Sequence, residues 1–265
     1  MSFEPQPPFD TPATPPERGE PAQPVIAHID YPQVKPTATY VIMGITIFIY
    51  LLQYAGQIFL GDDLIAYLGM KANTAILQGQ LWRLFTPVFL HGSILHIGFN
   101  MYALYLFGPS LEGRYGHLRF LILYLMGGFA GNVASFIFST ANSLGSSTAI
   151  FGLLGAEMVF SYQNKKLLGS RATRVLINVL VIAGINLIIG LSPGIDNWGH
   201  VGGLIGGTLF AWFAGPLLKV DGIYPNLTIE DQRDTRQVFL TTLGVGGFFL
   251  VLTGMFIYFR LRGWS

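Results

Sequence analysis

From Ala38 onward the chain runs as long apolar stretches separated by short polar connections. Seven stretches stand out, at 39–60, 93–111, 118–139, 147–164, 174–192, 198–218 and 238–259. Each is close to the ~20 mostly apolar residues that a helix needs to cross a bilayer. The second is the least hydrophobic, with His91, His96 and Asn100 in or beside it. The seventh is apolar apart from three threonines and stops at Arg260 and Arg262. The pattern predicts an all-α polytopic membrane protein, with no soluble domain between the spans and no repeat. The first 37 residues break it, because they hold 10 of the 15 prolines. Such a segment cannot bury a core and is expected to be a disordered tail. It has no basic region followed by an apolar run, so it is not expected to be a signal peptide.

Composition strengthens the membrane reading. Charged residues make up 11% of the chain, against about 25% in an average soluble domain. Hydrophobic residues reach 51% and mean hydropathy is +0.51. A soluble fold of 265 residues could not cover its surface with so few charges. A net charge of +1 gives no basic footprint for nucleic acid. With no cysteine, the chain has no disulfides, thiol nucleophiles or thiolate zinc ligands. The distribution of Lys and Arg sets an expected orientation. With seven spans, the tail and the 112–117, 165–173 and 219–237 segments share one side. Counting Arg119 and Arg174 at its edges, that side carries 11 of the 15 basic residues, against 4 (Lys71, Arg83, Arg260 and Arg262) on the other. The N-terminus is expected in the cytoplasm and the C-terminus outside, so the 61–92, 140–146 and 193–197 loops face outward.

Polar groups in apolar spans are costly and so mark candidate sites. Asn132, Asn178, Asn186 and Glu157 read as groups that hydrogen-bond a neighbouring helix. His96 and Asn100, four apart, fall on one helical face. Two neutral donors there could serve a metal, an anion or an oxygen becoming negative. The metal reading is poor, because zinc wants three or four ligands and no acid or thiolate lies near. Gly145-Ser146-Ser147-Thr148-Ala149-Ile150-Phe151-Gly152 opens a helix after a polar outer loop. A serine there is commonly an N-cap, but helix N-termini also suit an oxyanion. His200, Gly203 and Gly207 share a face that lets another backbone approach. Ser147 and His200 both follow outward loops and so lie at one depth. A serine needs a base to become nucleophilic, and its tetrahedral intermediate needs donors. An HExxH metalloprotease motif is absent, and no aspartate lies within a span.

These pieces, in this order, resemble the rhomboid family of intramembrane serine proteases over about residues 39–218. The matching segments are Gln80–Thr86 with Trp82-Arg83, HGSILHIGFN with His91, His96 and Asn100, the Glu112–Gly116 turn, GSSTAIFG and GHVGGLIGG. The resemblance implies a six-helix catalytic bundle over 38–218, a cytoplasmic loop at 219–237 and a seventh helix within 238–265. It implies Ser147 as nucleophile and His200 as base, a dyad without a third acid. The acid near His200 is Asp196, in the preceding loop. His96, Asn100 and the Ser147 N–H would form the oxyanion hole. Phe151 would pack on the histidine ring, and Gly203 and Gly207 would let helices touch. The Trp82-Arg83 loop would lie sideways in the membrane interface; an interfacial aromatic with a snorkelling cation explains that pair equally. The implied function is cleavage of transmembrane helices through an acyl-enzyme, with no cofactor or metal. Its partners are membrane-protein substrates and the bilayer, and a bacterial inner membrane is the expected location. The alternative is a catalytically inactive rhomboid-like protein that binds and chaperones membrane clients. Thr148 departs from the glycine most often found after the serine, adding β-branched bulk beside the nucleophile.

Overall fold

The computed structural model describes residues 34–223 and 226–263. The proline-rich tail expected over 1–37 therefore falls, but for its last four residues, outside the described residues. In chain order the helices are α1 (Thr37–Leu60), α2 (Leu64–Gly69), α3 (Asn73–Leu77), α4 (Ile94–Tyr115), α5 (His117–Phe138), α6 (Ser147–Gln163), α7 (Lys165–Leu168), α8 (Ser170–Ile189), α9 (Asn197–Ala214) and α10 (Thr235–Leu261). Two 3₁₀ turns, Leu81–Leu84 and Thr86–Phe89, precede α4, and two strands, β1 (Leu218–Ile223) and β2 (Asn226–Asp231), precede α10.

The seven long helices lie on the seven apolar stretches. Four of them, α1, α5, α8 and α10, are long and apolar enough by length and composition to cross a membrane. The other three, α4, α6 and α9, carry His96, Asn100, Ser147, His200 and several closely packed glycines. Polar and glycine residues dilute their hydropathy, and α6 has only 17 residues. Among the four, burial sets α5 apart. In its most apolar window α5 is 72% buried, whereas α1, α8 and α10 are each 17% buried. The peripheral helices turn Phe48, Phe59, Leu180, Ile188 and Phe248 outward, as lipid-facing surfaces do. Helix α5 is the central post, and α6 and α9 pack against it and against each other. Leu104, Leu123, Phe136, Leu153 and Phe210 fill the core between them.

Helix α9 can come this close because its contact face has no side chains. A Cβ on Gly207 would run into the backbone of Gly152, and one on Gly203 into the carbonyl of Thr148. This is how small residues work at a membrane helix interface, where packing and not water exclusion drives association. Helix α10 adds a flank on the α5 and α9 side, with Phe256 edge-on to Phe136 at 4.9 Å and Phe249 edge-on to Phe129 at 6.4 Å.

Charges inside the bundle are paired. Glu112 is fully buried at the end of α4. It accepts hydrogen bonds from the Ala38 and Thr39 backbone N–H groups, both at 2.7 Å, and from Thr39 Oγ1 at 2.6 Å. His117 Nδ1 closes its shell. The carboxylate thus caps the N-terminus of α1, which has no local side-chain cap. Glu157 is matched by Arg114 across α4 and α6, and the guanidinium also lies 4.3 Å over the Phe160 ring. This bears out the structural reading of Glu157. Asn132 donates to the Leu84 carbonyl at 3.1 Å and Asn186 to the Ile182 carbonyl of its own helix at 2.8 Å.

The segment at 61–92 is folded. Arg83 is buried, with Nη1 donating to the Tyr67 and Met70 carbonyls, both at 2.8 Å, and Nε to Gln80 at 2.8 Å. It is a structural clamp rather than a snorkelling cation, while Trp82 is half exposed and donates to the Leu68 carbonyl at 3.1 Å. Lys71 is fully buried and donates to the Ser139 and Ala141 carbonyls at 3.1 and 2.6 Å, tying this segment to the connection between α5 and α6.

One element departs from an all-α architecture. The 219–237 segment expected as a plain loop contains the antiparallel β1–β2 hairpin, in register from Leu218↔Asp231 to Ile223↔Asn226. Its second strand alternates exposed and half-buried positions, with Leu227 and Ile229 turned inward. That is a period-two pattern, hidden beside far longer apolar runs. Asp231 pins the hairpin to Arg119 at 2.7 Å, and Asn164 Oδ1 accepts from the Leu218 N–H at 2.7 Å.

Two outcomes test this packing. Gly207→Leu should overpack the α6–α9 seam, lowering stability by at least ~1–3 kcal/mol. Gly244→Ala, at a position with nothing within 4 Å, should leave it unchanged or raise it by up to ~1 kcal/mol; thermal unfolding in detergent reads both. Burial pushes the Lys71 ammonium down to about 8, with the Asp196 carboxylate opposing the shift. Between that value and the ordinary 10.5, the unfolded chain holds a proton that the folded chain has lost, so stability rises with pH. Relative to Lys71→Met, the wild type should gain on the order of 2 kcal/mol from about pH 7.5 to about pH 10. A stability difference that stays flat with pH would contradict the buried ammonium.

Candidate active site

Helix α6 begins without a side-chain cap. Ser146 occupies the cap position, but its hydroxyl turns to His91, with Oγ and Nε2 3.2 Å apart. The first-turn N–H groups, that of Ser147 among them, therefore have no competing side-chain acceptor in the cap. Ser147 is the first helical residue, and its Oγ lies 2.9 Å from Nε2 of His200. The serine that could have been a cap instead faces the imidazole, 53 residues away in sequence.

His200 sits in the first turn of α9 and is buried. Phe151, one turn into α6, stacks on its ring with centroids 4.4 Å apart and planes within 7°. Nδ1 of His200 has no hydrogen-bond partner among the described residues. The stacked ring and the close α6–α9 seam thus hold the imidazole, rather than a second hydrogen bond. Gly203 and Gly207 form that seam, as the shared-face argument anticipated.

His96 and Asn100 lie one turn apart on α4, and His96 reaches the Ser147 corner. The place that a Cβ on Gly145 would occupy is 2.7 Å from His96 Nε2 and 3.8 Å from Ser147 Oγ, so both groups reach one small space. Gly145 also has φ +134°, a conformation L side chains rarely adopt. A glycine is required here for both reasons. The His91 ring meets His96 edge-on at 5.0 Å. Asn100 is buried, and its Nδ2 donates to the His96 carbonyl at 3.0 Å, one turn back on its own helix. That bond uses one of the two N–H donors on Nδ2. Trp82 and Arg83 lie apart from this corner and act in the folding of the 61–92 segment.

Thr148 has a specific seat. Its side chain lies against Gly131 of α5, where an added Cβ would be 2.6 Å from Thr148 Cβ, and against Gly199 of α9, where it would be 3.0 Å from Cγ2. The β-branched bulk is directed into the α5–α9 seam, away from the serine hydroxyl, and two missing side chains make room for it. Its Oγ1 is buried with no hydrogen-bond partner among the described residues. The sequence alone gave no sign of that seat, because Gly131 is 17 positions upstream and Gly199 follows 51 positions downstream. Nor did it reveal the His91–Ser146 pair or Gln53, which brackets the His91 backbone from α1 through bonds of 3.1 and 3.3 Å. Gln53, one of two glutamines in that apolar stretch, was the available signal. Among the described residues no group of three or more His, Cys, Asp or Glu could hold a metal ion.

The family model of the Rhomboid domain matches residues 78–217. Rhomboid protease GluP of Bacillus subtilis is 40% identical over 214 residues, covering 80% of this chain and 40% of that protein. RHOMBOID-like protein 9, chloroplastic, of Arabidopsis thaliana is 36% identical over 153 residues, 57% of this chain and 35% of that protein. The putative rhomboid protease YdcA of Bacillus subtilis is 32% identical over 142 residues, 53% of this chain and 70% of that protein. The chain thus spans less than half the length of the first two relatives.

Replacing Thr148 by the isosteric valine removes a buried, unpaired hydroxyl and keeps the shape. Thr148→Val should therefore unfold at the wild-type temperature or slightly above it. Gly131→Val should lower the unfolding temperature sharply. A loss on Thr148→Val would mean that the hydroxyl has a partner after all.

Proposed function

The chain belongs to the rhomboid family, an integral membrane protein family with protease members, and on that premise we propose that it is an intramembrane serine endopeptidase. The observation that carries the reading is the 2.9 Å approach of Ser147 Oγ to His200 Nε2 at an uncapped helix N-terminus. The substrate is a transmembrane helix of another membrane protein, whose end unwinds to expose a scissile carbonyl. Ser147 Oγ bonds to the carbonyl carbon while its proton passes to His200 Nε2. The carbonyl π pair moves onto oxygen, which the Ser147 N–H, His96 and Asn100 receive. The intermediate collapses, the C–N bond breaks, and His200 returns the proton to the departing amine. A water oxygen then bonds to the acyl carbon while its proton passes to His200, the C–Oγ bond breaks to release the acid, and His200 returns the proton to Ser147 Oγ.

In this proposal all seven long helices span the bilayer, six as the catalytic core over 38–218 and α10 as an added flank. The tail over 1–37 and the 219–237 segment with its hairpin face the cytoplasm, and the site opens toward the outside. The supporting observation is the distribution of basic residues, 11 against 4. The membrane is a bacterial inner membrane, in keeping with the short connections. Substrate approaches beside α8, which buries only Ala172, Val179 and Ala183. That helix leans on α6 through a small cluster with Phe151 and Leu154.

Ser147→Ala and His200→Ala should each abolish cleavage of a transmembrane reporter, with unfolding temperatures near wild type. A fluorophosphonate should label the wild type and not the Ser147→Ala protein. Cleavage retained by either purified variant would sink the dyad. A folded wild type that neither labels nor cleaves would point instead to a rhomboid-like protein that binds membrane clients.

A further inference from the structure

Two helix N-termini meet at this corner, and they act on the reaction in opposite senses. The start of α6 presents its positive end to the oxygen that becomes negative, which helps. The start of α9 presents its positive end to His200, which becomes positive when it takes the Ser147 proton, and this hinders. The residue at the mouth of α9 is Asp196. Its Oδ1 accepts the Gly199 N–H at 3.1 Å, and its backbone carbonyl accepts that of His200 at 3.3 Å. Its other oxygen, Oδ2, accepts a hydrogen bond from Ser135 Oγ of α5. The carboxylate is therefore fixed between α5 and the first turn of α9.

We propose that Asp196 is a positioning residue for His200: held by Ser135, its carboxylate cancels the positive end of α9 at the moment the imidazole is protonated. The inference rests on the reading of Ser147 and His200 as nucleophile and base. Besides Asp196, the titratable groups that bear on this corner are His96, from α4, and Lys71, whose ammonium is committed to the Ser139 and Ala141 carbonyls. Neither supplies negative charge. No additional proton is moved: the one that leaves Ser147 Oγ reaches His200 Nε2 and later leaves with the amine.

The N-cap and the charge can be separated, because asparagine caps a helix about as well as aspartate. Full-length protein in detergent is assayed on a transmembrane reporter, with fluorophosphonate labelling and thermal unfolding in parallel. Asp196→Asn should lower kcat by roughly 3- to 30-fold, leaving KM and the unfolding temperature near wild type. Asp196→Ala should lower kcat and the unfolding temperature together. Ser135→Ala, which frees the carboxylate, should give an intermediate loss of kcat without a shift in KM. Wild-type kcat in Asp196→Asn would reduce the residue to a helix cap and overturn the proposal. If that variant also loses stability, Ser135→Ala decides: a lower kcat at unchanged KM and unfolding temperature supports the proposal, and wild-type kcat ends it. Wild-type protein whose labelling persists in Ser147→Ala would overturn the underlying dyad instead, a result distinct from any of these.

Discussion

The contact of α9 with α6 is made by backbone. Gly203 lies on the Thr148 carbonyl and Gly207 on Gly152, so the two helices run closer than side chains would permit. Everything chemical at the corner follows from that distance. Ser147 and His200 lie at the same end of the seam, and the imidazole reaches the hydroxyl without a long side chain bridging the gap. Phe151 then has only one place to put its ring, flat against His200. A hydroxyl–imidazole pair on two loops would need a further hydrogen bond to fix the ring. Here the bundle fixes it, and Nδ1 is left without a protein partner among the described residues.

The bundle handles its charges by placing them at helix ends or in pairs. Glu112 supplies the missing cap of α1, Arg114 meets Glu157, and Lys71 meets two carbonyls at the end of α5. Each arrangement ties together segments that apolar packing alone would hold loosely. Arg83 does the same within the 61–92 segment, so that a stretch with no long helix still has a defined shape. Charge is sparse in this chain, and much of it serves as connectors.

The positions of the long helices were legible in the sequence, because apolar runs of bilayer length have few other readings. The corner of Ser147, His200, His96 and Asn100 was legible through local spacing together with the resemblance to a family. What stayed hidden was tertiary. The seat for Thr148 is two glycines on two other helices, and nothing near residue 148 announces them. The hairpin at 218–231 has alternating Leu227 and Ile229, but six-residue strands are a faint signal beside twenty-residue helices. Arg83 and Trp82 form an adjacent pair in sequence, yet one is buried as a clamp and the other half exposed. Arg83 is held by the Tyr67 and Met70 carbonyls and Trp82 by that of Leu68, contacts that no local pattern announces.

The Glu112 cap also bears on the order in which the chain is assembled. Helix α1 is synthesised before α4, yet the carboxylate that satisfies its opening N–H groups lies 73 residues later than Thr39. At its other end Gln53 reaches Asp63 only ten residues on, while its bonds to the His91 backbone span 38 residues. During synthesis α1 therefore resides in the membrane with an unfinished end until α4 has emerged completely. The closing of its first turn is thus a long-range contact that waits for α4. The central post, α5, follows α4 after a single glycine, Gly116, so the end of α4 that closes α1 and the start of the core arrive almost together. Just before residue 112 is made, α1 has been synthesised but the carboxylate that closes its first turn has not.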